Sequence, residues 1–290
     1  MDKFRDTMNK PKRWLKFFQL EMKVVDAENS PLMQKIDYST RKKVDLVNNS
    51  IFRYILRAML ACLFLTLGTA VAVMIGDKVD HFAPGLGKIT YAFMFSWSLV
   101  MIIYMNAELG TSNMMYMTTG VYQKIVRPSK ALKILLLCVG FNLVGGIIAG
   151  YLVSLTSAFH NLPPDHFLFT AVAGKLEKTP VQIFVEGIFA NIVVNTAVLC
   201  TLRMKDDAGK VISMIFIIFI FAFLGFEHVI ANFSSFSLAF FASHGTMVAM
   251  TVGNVVQNLV LAFLGNFVGG GVVIGLLYAW LNRTESIYKD

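Results

Sequence analysis

Six apolar stretches dominate the chain, at residues 53–76, 90–123, 131–155, 181–202, 211–241 and 254–281. A bilayer's hydrocarbon core, about 30 Å thick, is crossed by roughly 20 apolar residues in helical form, and a helix satisfies its own backbone polar groups there. Each stretch reaches that length, so the sequence predicts an all-α integral membrane protein with six spans. Only 15% of the residues are charged, against about 25% in a soluble domain. The expected organisation is a polar N-terminal tail at 1–50, a transmembrane pore domain at 51–282 and a short C-terminus at 283–290. Cys62, Cys138 and Cys200 all lie in apolar stretches and form no CxxC pair, which predicts small buried hydrophobes, with no disulfide framework and no metal site. The basic, polar start of the chain reads as lacking a signal peptide.

The net charge of +8 is sorted by side of the membrane, which argues against nucleic acid as its partner. With a cytoplasmic N-terminus, 22 of the 26 Lys and Arg fall on the cytoplasmic side, and the remainder are Lys78, Lys88, Lys175 and Lys178. This positive-inside pattern places both termini in the cytoplasm of a multi-pass cell-membrane protein. Within the tail, PKRWLKFFQLEMKVV (11–25) sets Trp14, Phe17, Phe18 and Met22 near one helical face among lysines. That pattern suits an amphipathic helix lying on membrane lipid or packed on a neighbouring subunit.

An internal repeat sets the topology further. Asn142–Gly146 and Asn266–Gly270 share N-x-V-G-G at an offset of 124, and ELGTSN (108–113) and EHVIAN (227–232) share E-x4-N at an offset of 119. A three-span unit flips the chain across the bilayer, so the repeats, 51–155 and 178–282, are inverted relative to each other. Such repeats place a transport pathway where they meet, at interrupted spans. The second and fifth stretches each run 30 or more residues and carry Glu and Asn in the middle, which predicts breaks at 107–113 and 225–232. Broken backbone at that depth must be buried in protein or face water, and it leaves helix N-termini whose N–H groups attract anions. Glu227 and His228 form an ionisable pair at mid-depth, a functional candidate by its cost alone. A lone buried histidine is otherwise a hydrogen-bonded core residue, and Glu227 is expected to hold backbone or Asn donors. Gly140, Gly145, Gly146 and Gly150 of the third stretch, and Gly265, Gly269, Gly270, Gly271 and Gly275 of the sixth, read as close helix packing. His81, His160, His166 and His244 read as surface residues of outer loops.

GFEHVIAN resembles the signature of the formate/nitrite transporter family. ELGTSN, GIFAN (187–191) and GNFVGG (265–270) are similar to that family's motifs in its second, fourth and sixth spans, and order and spacing agree from about residue 50 to residue 282. The resemblance implies an aquaporin-like bundle with broken second and fifth spans, assembled as a homopentamer with one pore per protomer. It implies small monovalent weak-acid anions as substrates, formate or nitrite first, with hydrosulfide, acetate and lactate as further members of the class, and no cofactor. Carried over residue by residue, it makes His228 the central pore histidine, Thr111 the threonine facing it and Lys175 the lysine of the outer vestibule. Leu109 becomes the apolar residue of the inner constriction, and Phe95, Leu99 and Phe221 belong to the apolar gates. Asn191, Asn266 and Glu227, with Asn232 of the same signature, become the supporting polar groups. Two departures stand out. Gly110 occupies a position where the family usually has Phe, and FSSFSLAFF follows the signature in place of a Met-rich continuation.

The expected function is transport of a weak-acid anion, pH-dependent and coupled to protons. An anion at mid-bilayer meets a large desolvation cost that its neutral acid avoids, and a histidine titrates near neutral pH. His228, with Thr111, is thus expected to supply or relay the proton. The alternative is an aquaporin-like facilitator of a small neutral solute. The paired Asn-Pro-Ala motifs usual there are absent, since neither Asn113 nor Asn232 precedes a Pro. No HExxH, Gly-x-Ser-x-Gly, metal-spaced cluster or nucleotide loop supports an enzyme.

Overall fold

The computed structural model describes residues 30–282, so the amphipathic stretch expected at 11–25 and the C-terminal segment 283–290 lie outside the described residues. Among the described residues every regular element is helical. Helix α1 (Pro31–Asn49) precedes the first span, α2 (Ile51–Phe82). The second span consists of α3 (Leu86–Phe95) and α4 (Trp97–Tyr104), then a break, then α5 (Gly110–Tyr122). The third is α6 (Pro128–Ser154); a short helix α7 (Phe167–Leu176) leads into the fourth, α8 (Pro180–Arg203). The fifth is α9 (Asp207–Leu224), a break, and α10 (Val229–Ala242). The sixth joins α11 (Val252–Asn266), a π-wound stretch (Phe267–Leu277) and α12 (Tyr278–Leu281). Among the described residues six helical segments are long and apolar enough to cross a membrane.

The helix starts follow local chemistry. Pro occupies the first turn of α1, α6 and α8, where its missing N–H costs nothing. Thr179 and Gln182 form a reciprocal capping box ahead of α8. Asp206 caps α9 by accepting from Gly209 N–H at 2.6 Å, and Thr251 caps α11 by accepting from Asn254 N–H at 3.1 Å. Gly225 ends α9 in the left-handed conformation, φ +72°, which a glycine adopts without a Cβ penalty.

Packing exchanges the repeats. First and third spans pair within each repeat, α2 on α6 and α8 on α11. The second half of each broken span crosses over: α5 packs on the sixth span and α10 on the third. Glycines make this approach possible. A Cβ on Gly146 would stand 3.2 Å from the Phe233 backbone of α10, and one on Gly275 would meet the Thr118 hydroxyl of α5. Gly140 differs from the rest of its expected set, because open space faces it and no packing depends on it.

One further expectation changes. His166 is buried, 3% exposed, not a surface residue. It caps α7, its Nδ1 accepting from Leu168 N–H at 3.1 Å. Burial pushes its imidazole below the usual range, opposed by the nearby Asp77 carboxylate. The 1–50 tail, whose expected amphipathic helix lies at 11–25, also contributes α1. α1 buries Leu32, Met33, Ile36 and Val47 against α2, α5 and α8. Cys62 and Cys138 are buried and Cys200 is partly so, all as free thiols.

The Gly110 departure has a packing reason. Its N–H donates to Asn142 Oδ1 at 2.8 Å, and an added Cβ would lie 2.8 Å from Val139 Cγ2 and 2.9 Å from that same oxygen. Gly110→Ala is therefore expected to cost about 1–3 kcal/mol through overpacking, read as a lower thermal midpoint of the detergent-solubilised protein. An unchanged midpoint would show that α6 yields freely at this contact.

Candidate functional site

The two breaks are sealed by one device used twice. At the break of the fifth span, Asn266 Oδ1 accepts from Val229 N–H at 2.8 Å, while its Nδ2 donates to Glu227 O at 2.9 Å and Gly187 O at 2.8 Å. At the break of the second span, Asn142 Oδ1 accepts from Gly110 N–H, and its Nδ2 donates to Glu108 O at 2.9 Å and Ala58 O at 2.6 Å. Each asparagine comes from the third span of a repeat. Each pairs both a donor and an acceptor of the unwound backbone with the neighbouring span.

His228 is the N-cap of α10. Its Nδ1 accepts from Ala231 N–H at 3.1 Å, which leaves the proton of the neutral ring on Nε2. Nε2 lies 2.8 Å from Thr111 Oγ1, in the first turn of α5, so one hydrogen bond joins the two broken spans where their half-helices meet. Asn191 Nδ2 supports this point by donating to Asn266 O at 2.7 Å and Thr111 O at 3.2 Å. Asn195, which sequence reasoning did not single out, donates to Asn191 Oδ1 at 2.9 Å. It lies one helical turn beyond Asn191 in an otherwise apolar run, and that spacing was the available signal.

Around His228 lies a chamber of about 20 Å³ lined by Phe95, Leu99, Leu109, Phe221, Leu65, Ile102, Val194, Ile218 and Ser98. A cavity of this size has room for about one water. Phe95 and Phe221 meet edge to face at 5.8 Å, and Phe221 lies 5.8 Å from the His228 ring. The same two phenylalanines line a larger cavity of about 320 Å³ on the other side. They are the partition between vestibule and chamber. The structure thus gathers Phe95, Leu99, Leu109 and Phe221 around His228 and Thr111, with Lys175 in the vestibule.

The vestibule is organised by Glu227, whose side chain is fully buried. Its Oε1 accepts from Lys175 Nζ at 3.1 Å and Lys178 Nζ at 2.7 Å; its Oε2 accepts from Asn232 Nδ2 at 2.6 Å and Asn258 Nδ2 at 3.1 Å. The same lysines hold the orphan carbonyls that end α9: Lys178 donates to Gly225 O at 2.7 Å and Lys175 to Phe226 O at 3.3 Å. Cations belong there, at the negative end of a helix. Lys178 also pairs with Glu186, and Lys88 rests over the Phe223 ring at 5.4 Å. Lys178 and Asn258 were missed as partners of Glu227. The first stands one turn after Lys175, the second is a polar residue inside the sixth apolar stretch.

The first repeat mirrors this cluster. Glu108 Oε2 accepts from Lys43 Nζ at 2.6 Å and from Asn113 Nδ2 at 3.1 Å. Asn113 Nδ2 also donates to Tyr54 Oη at 2.8 Å. Lys43 comes from α1, outside the repeat, and no local pattern in the polar tail announced it.

A bundle of two exchanged three-span repeats, with both broken spans meeting at a polar point beside a small chamber and a larger vestibule, defines a membrane transport protein. The comparisons agree. The formate/nitrite transporter family model matches residues 30–280, and the chain belongs to that family. The uncharacterized transporter YwcJ of Bacillus subtilis (strain 168) is 29% identical over 87% of this chain and 98% of that protein. A formate-nitrite transporter of Plasmodium falciparum (isolate 3D7) is 30% identical over 76% of this chain and 74% of its own length. Among solved structures, an FNT family ion channel superposes with a TM-score of 0.80 at 23% identity, covering 86% of this chain and 98% of that one. A pentameric formate channel with formate bound gives 0.65 at 23% identity, over 79% of this chain and 96% of its own.

Removing the Glu227 carboxylate would leave Lys175 without an ion-pair partner and take one acceptor each from Lys178, Asn232 and Asn258. Glu227→Ala is expected to cost about 3–5 kcal/mol, the penalty of an opened buried ion pair, and to yield little folded protein by size-exclusion chromatography. Lys178→Met leaves Lys175 on the carboxylate and is expected to remain folded with a lower midpoint. Equal behaviour of the two variants would deny Glu227 its organising place.

Proposed function

We propose that the chain conducts small monovalent weak-acid anions, formate or nitrite first, across the cell membrane, one pore per protomer of a homopentamer with both termini cytoplasmic. The observation that carries this reading is the His228–Thr111 bridge at the base of a lysine-lined vestibule, closed off by Phe95 and Phe221. Family membership and the pentameric formate channel among its structural neighbours support the substrate class and the assembly. Three lysines, Lys88, Lys175 and Lys178, face two carboxylates, Glu186 and Glu227, around the vestibule. The remaining positive charge draws anions toward the pore.

Beyond the partition the lining is almost wholly apolar, where an anion is expensive and its neutral acid is not. The proton therefore travels on the substrate, taken up in the vestibule. His228 receives the acid as a neutral ring. Protonating its Nδ1 would break the bond that caps α10, whereas its Nε2–H can pass from Thr111 to a substrate oxygen and back. Phe95 and Phe221 must turn aside for each passage, and Leu99 and Leu109 line the path beyond them.

Proteoliposomes test this. Formate and nitrite uptake is expected to rise with an inward proton gradient. His228→Asn, which retains an N-capping oxygen, is expected to alter the rate but keep the acceleration. Loss of the acceleration in that variant would mean that the ring itself carries the proton. Movement of water or glycerol with neither anion would replace this reading with a neutral-solute facilitator.

A further inference from the structure

Three polar atoms on the vestibule wall have no hydrogen-bond partner among the described residues: Thr69 Oγ1, Asn232 Oδ1 and Ser235 Oγ. All three residues are more than nine-tenths buried, at 1%, 0% and 8% exposure. Buried polar atoms without partners are rare in folded proteins and need an explanation. Here the three residues share the vestibule wall, and Asn232 also borders a neighbouring apolar cavity. Asn232 and Ser235, three residues apart, share a face of α10, and Thr69 reaches the cavity from α2, which packs on α10.

Their chemistry is specific. The Asn232 amide cannot turn over, because its Nδ2 is committed to Glu227 Oε2 and Asn258 Oδ1. Its oxygen can only accept. The two hydroxyls can donate. A ligand that satisfies all three must bring a donor as well as an acceptor. Formate and nitrite anions have acceptors alone and leave Asn232 Oδ1 unpaired. A neutral carboxylic acid has one O–H and one C=O. Lys175 and Lys178, held on carboxylates, do not compete for it as an anion. Ser235 belongs to the FSSFSLAFF stretch that departs from the Met-rich family pattern, and a methionine there could donate nothing.

We propose that Thr69, Asn232 and Ser235 form a receiving subsite for the protonated acid on the vestibule wall, next to the Phe95–Phe221 partition. The acid O–H donates to Asn232 Oδ1, and its carbonyl oxygen accepts from Ser235 or Thr69. The subsite rests on the reading that the substrate crosses as neutral acid. It selects the protonated form before the apolar passage begins.

The test uses the full chain in proteoliposomes, with Thr69→Val, Ser235→Ala and the double variant, each checked for an unchanged thermal midpoint. At an outside pH of roughly 5, near the carboxylic acid range, the double variant is expected to raise the half-saturating formate concentration about three- to tenfold, the loss of one or two hydrogen bonds. Maximal flux should stay similar, and Ser235→Thr should retain the parent value. Formamide, a neutral isostere with N–H and C=O, should inhibit formate uptake in the parent and lose that inhibition in the double variant. N,N-dimethylformamide, which lacks the N–H, should not inhibit. An unchanged half-saturation, or equal inhibition by both amides, overturns the subsite and leaves these groups holding water alone. A parent protein that moves no formate at all overturns the transport reading instead.

Discussion

The structure depends on the satisfaction of interrupted backbone where water is scarce. Unwinding a helix in the middle of a membrane exposes N–H and C=O groups, and each costs about 1–3 kcal/mol when left unpaired in a buried setting. Asn142 and Asn266 remove that cost with the same three hydrogen bonds at each break. An amide is suited to the task because it donates and accepts from one planar group without bringing charge. With the backbone satisfied, the break can hold His228 and Thr111 at a fixed separation. Without it, no side chain at that depth would have a defined place.

Charge is handled on the same plan. Glu108 and Glu227 each stand at a break, and each shares its carboxylate with a lysine and with the asparagine five residues on. The lysines do not come from equivalent places. Lys175 belongs to α7, a short helix between repeats; Lys43 belongs to α1, ahead of them. The repeat thus supplies the acid and the amide, while Lys43 and Lys175 come from non-repeated segments and Lys178 from the very start of the second repeat. This asymmetry gives the two ends of the pathway different chemistry within a common frame: two lysines and Glu186 on one side, a lysine over the Tyr116 ring on the other.

Much of this was legible in the sequence because hydrophobic length and repeated motifs are written locally. The six spans, both breaks and the inverted repeat followed from stretch length and repeated motifs; the exchange of half-helices between the repeats did not. His228, Thr111, Phe95, Leu99, Leu109 and Phe221 were named by the family resemblance; the structure sets the four apolar residues with His228 around one chamber and bonds Thr111 to His228. What escaped was non-local. Lys43 lies 65 residues from Glu108, and Asn258 lies 31 from Glu227; nothing near either residue in sequence marks its partner. His166 escaped for a related reason, since loop residues read as exposed until a helix is found to need a cap. Gly110 stood out in the sequence only as a departure from the family's usual Phe; its close contact with Asn142 and Val139 needed the third span in place.

The chamber beside His228, with space for about one water, has an electrical consequence. Protons move through membranes by hopping along an unbroken file of hydrogen-bonded waters. A chamber walled by Phe95, Phe221, Leu99 and Leu109 that holds about one water has no second molecule to receive the hop. Such a pore can sit in an energised membrane without short-circuiting it, and charge separation across the bilayer survives between passages of substrate.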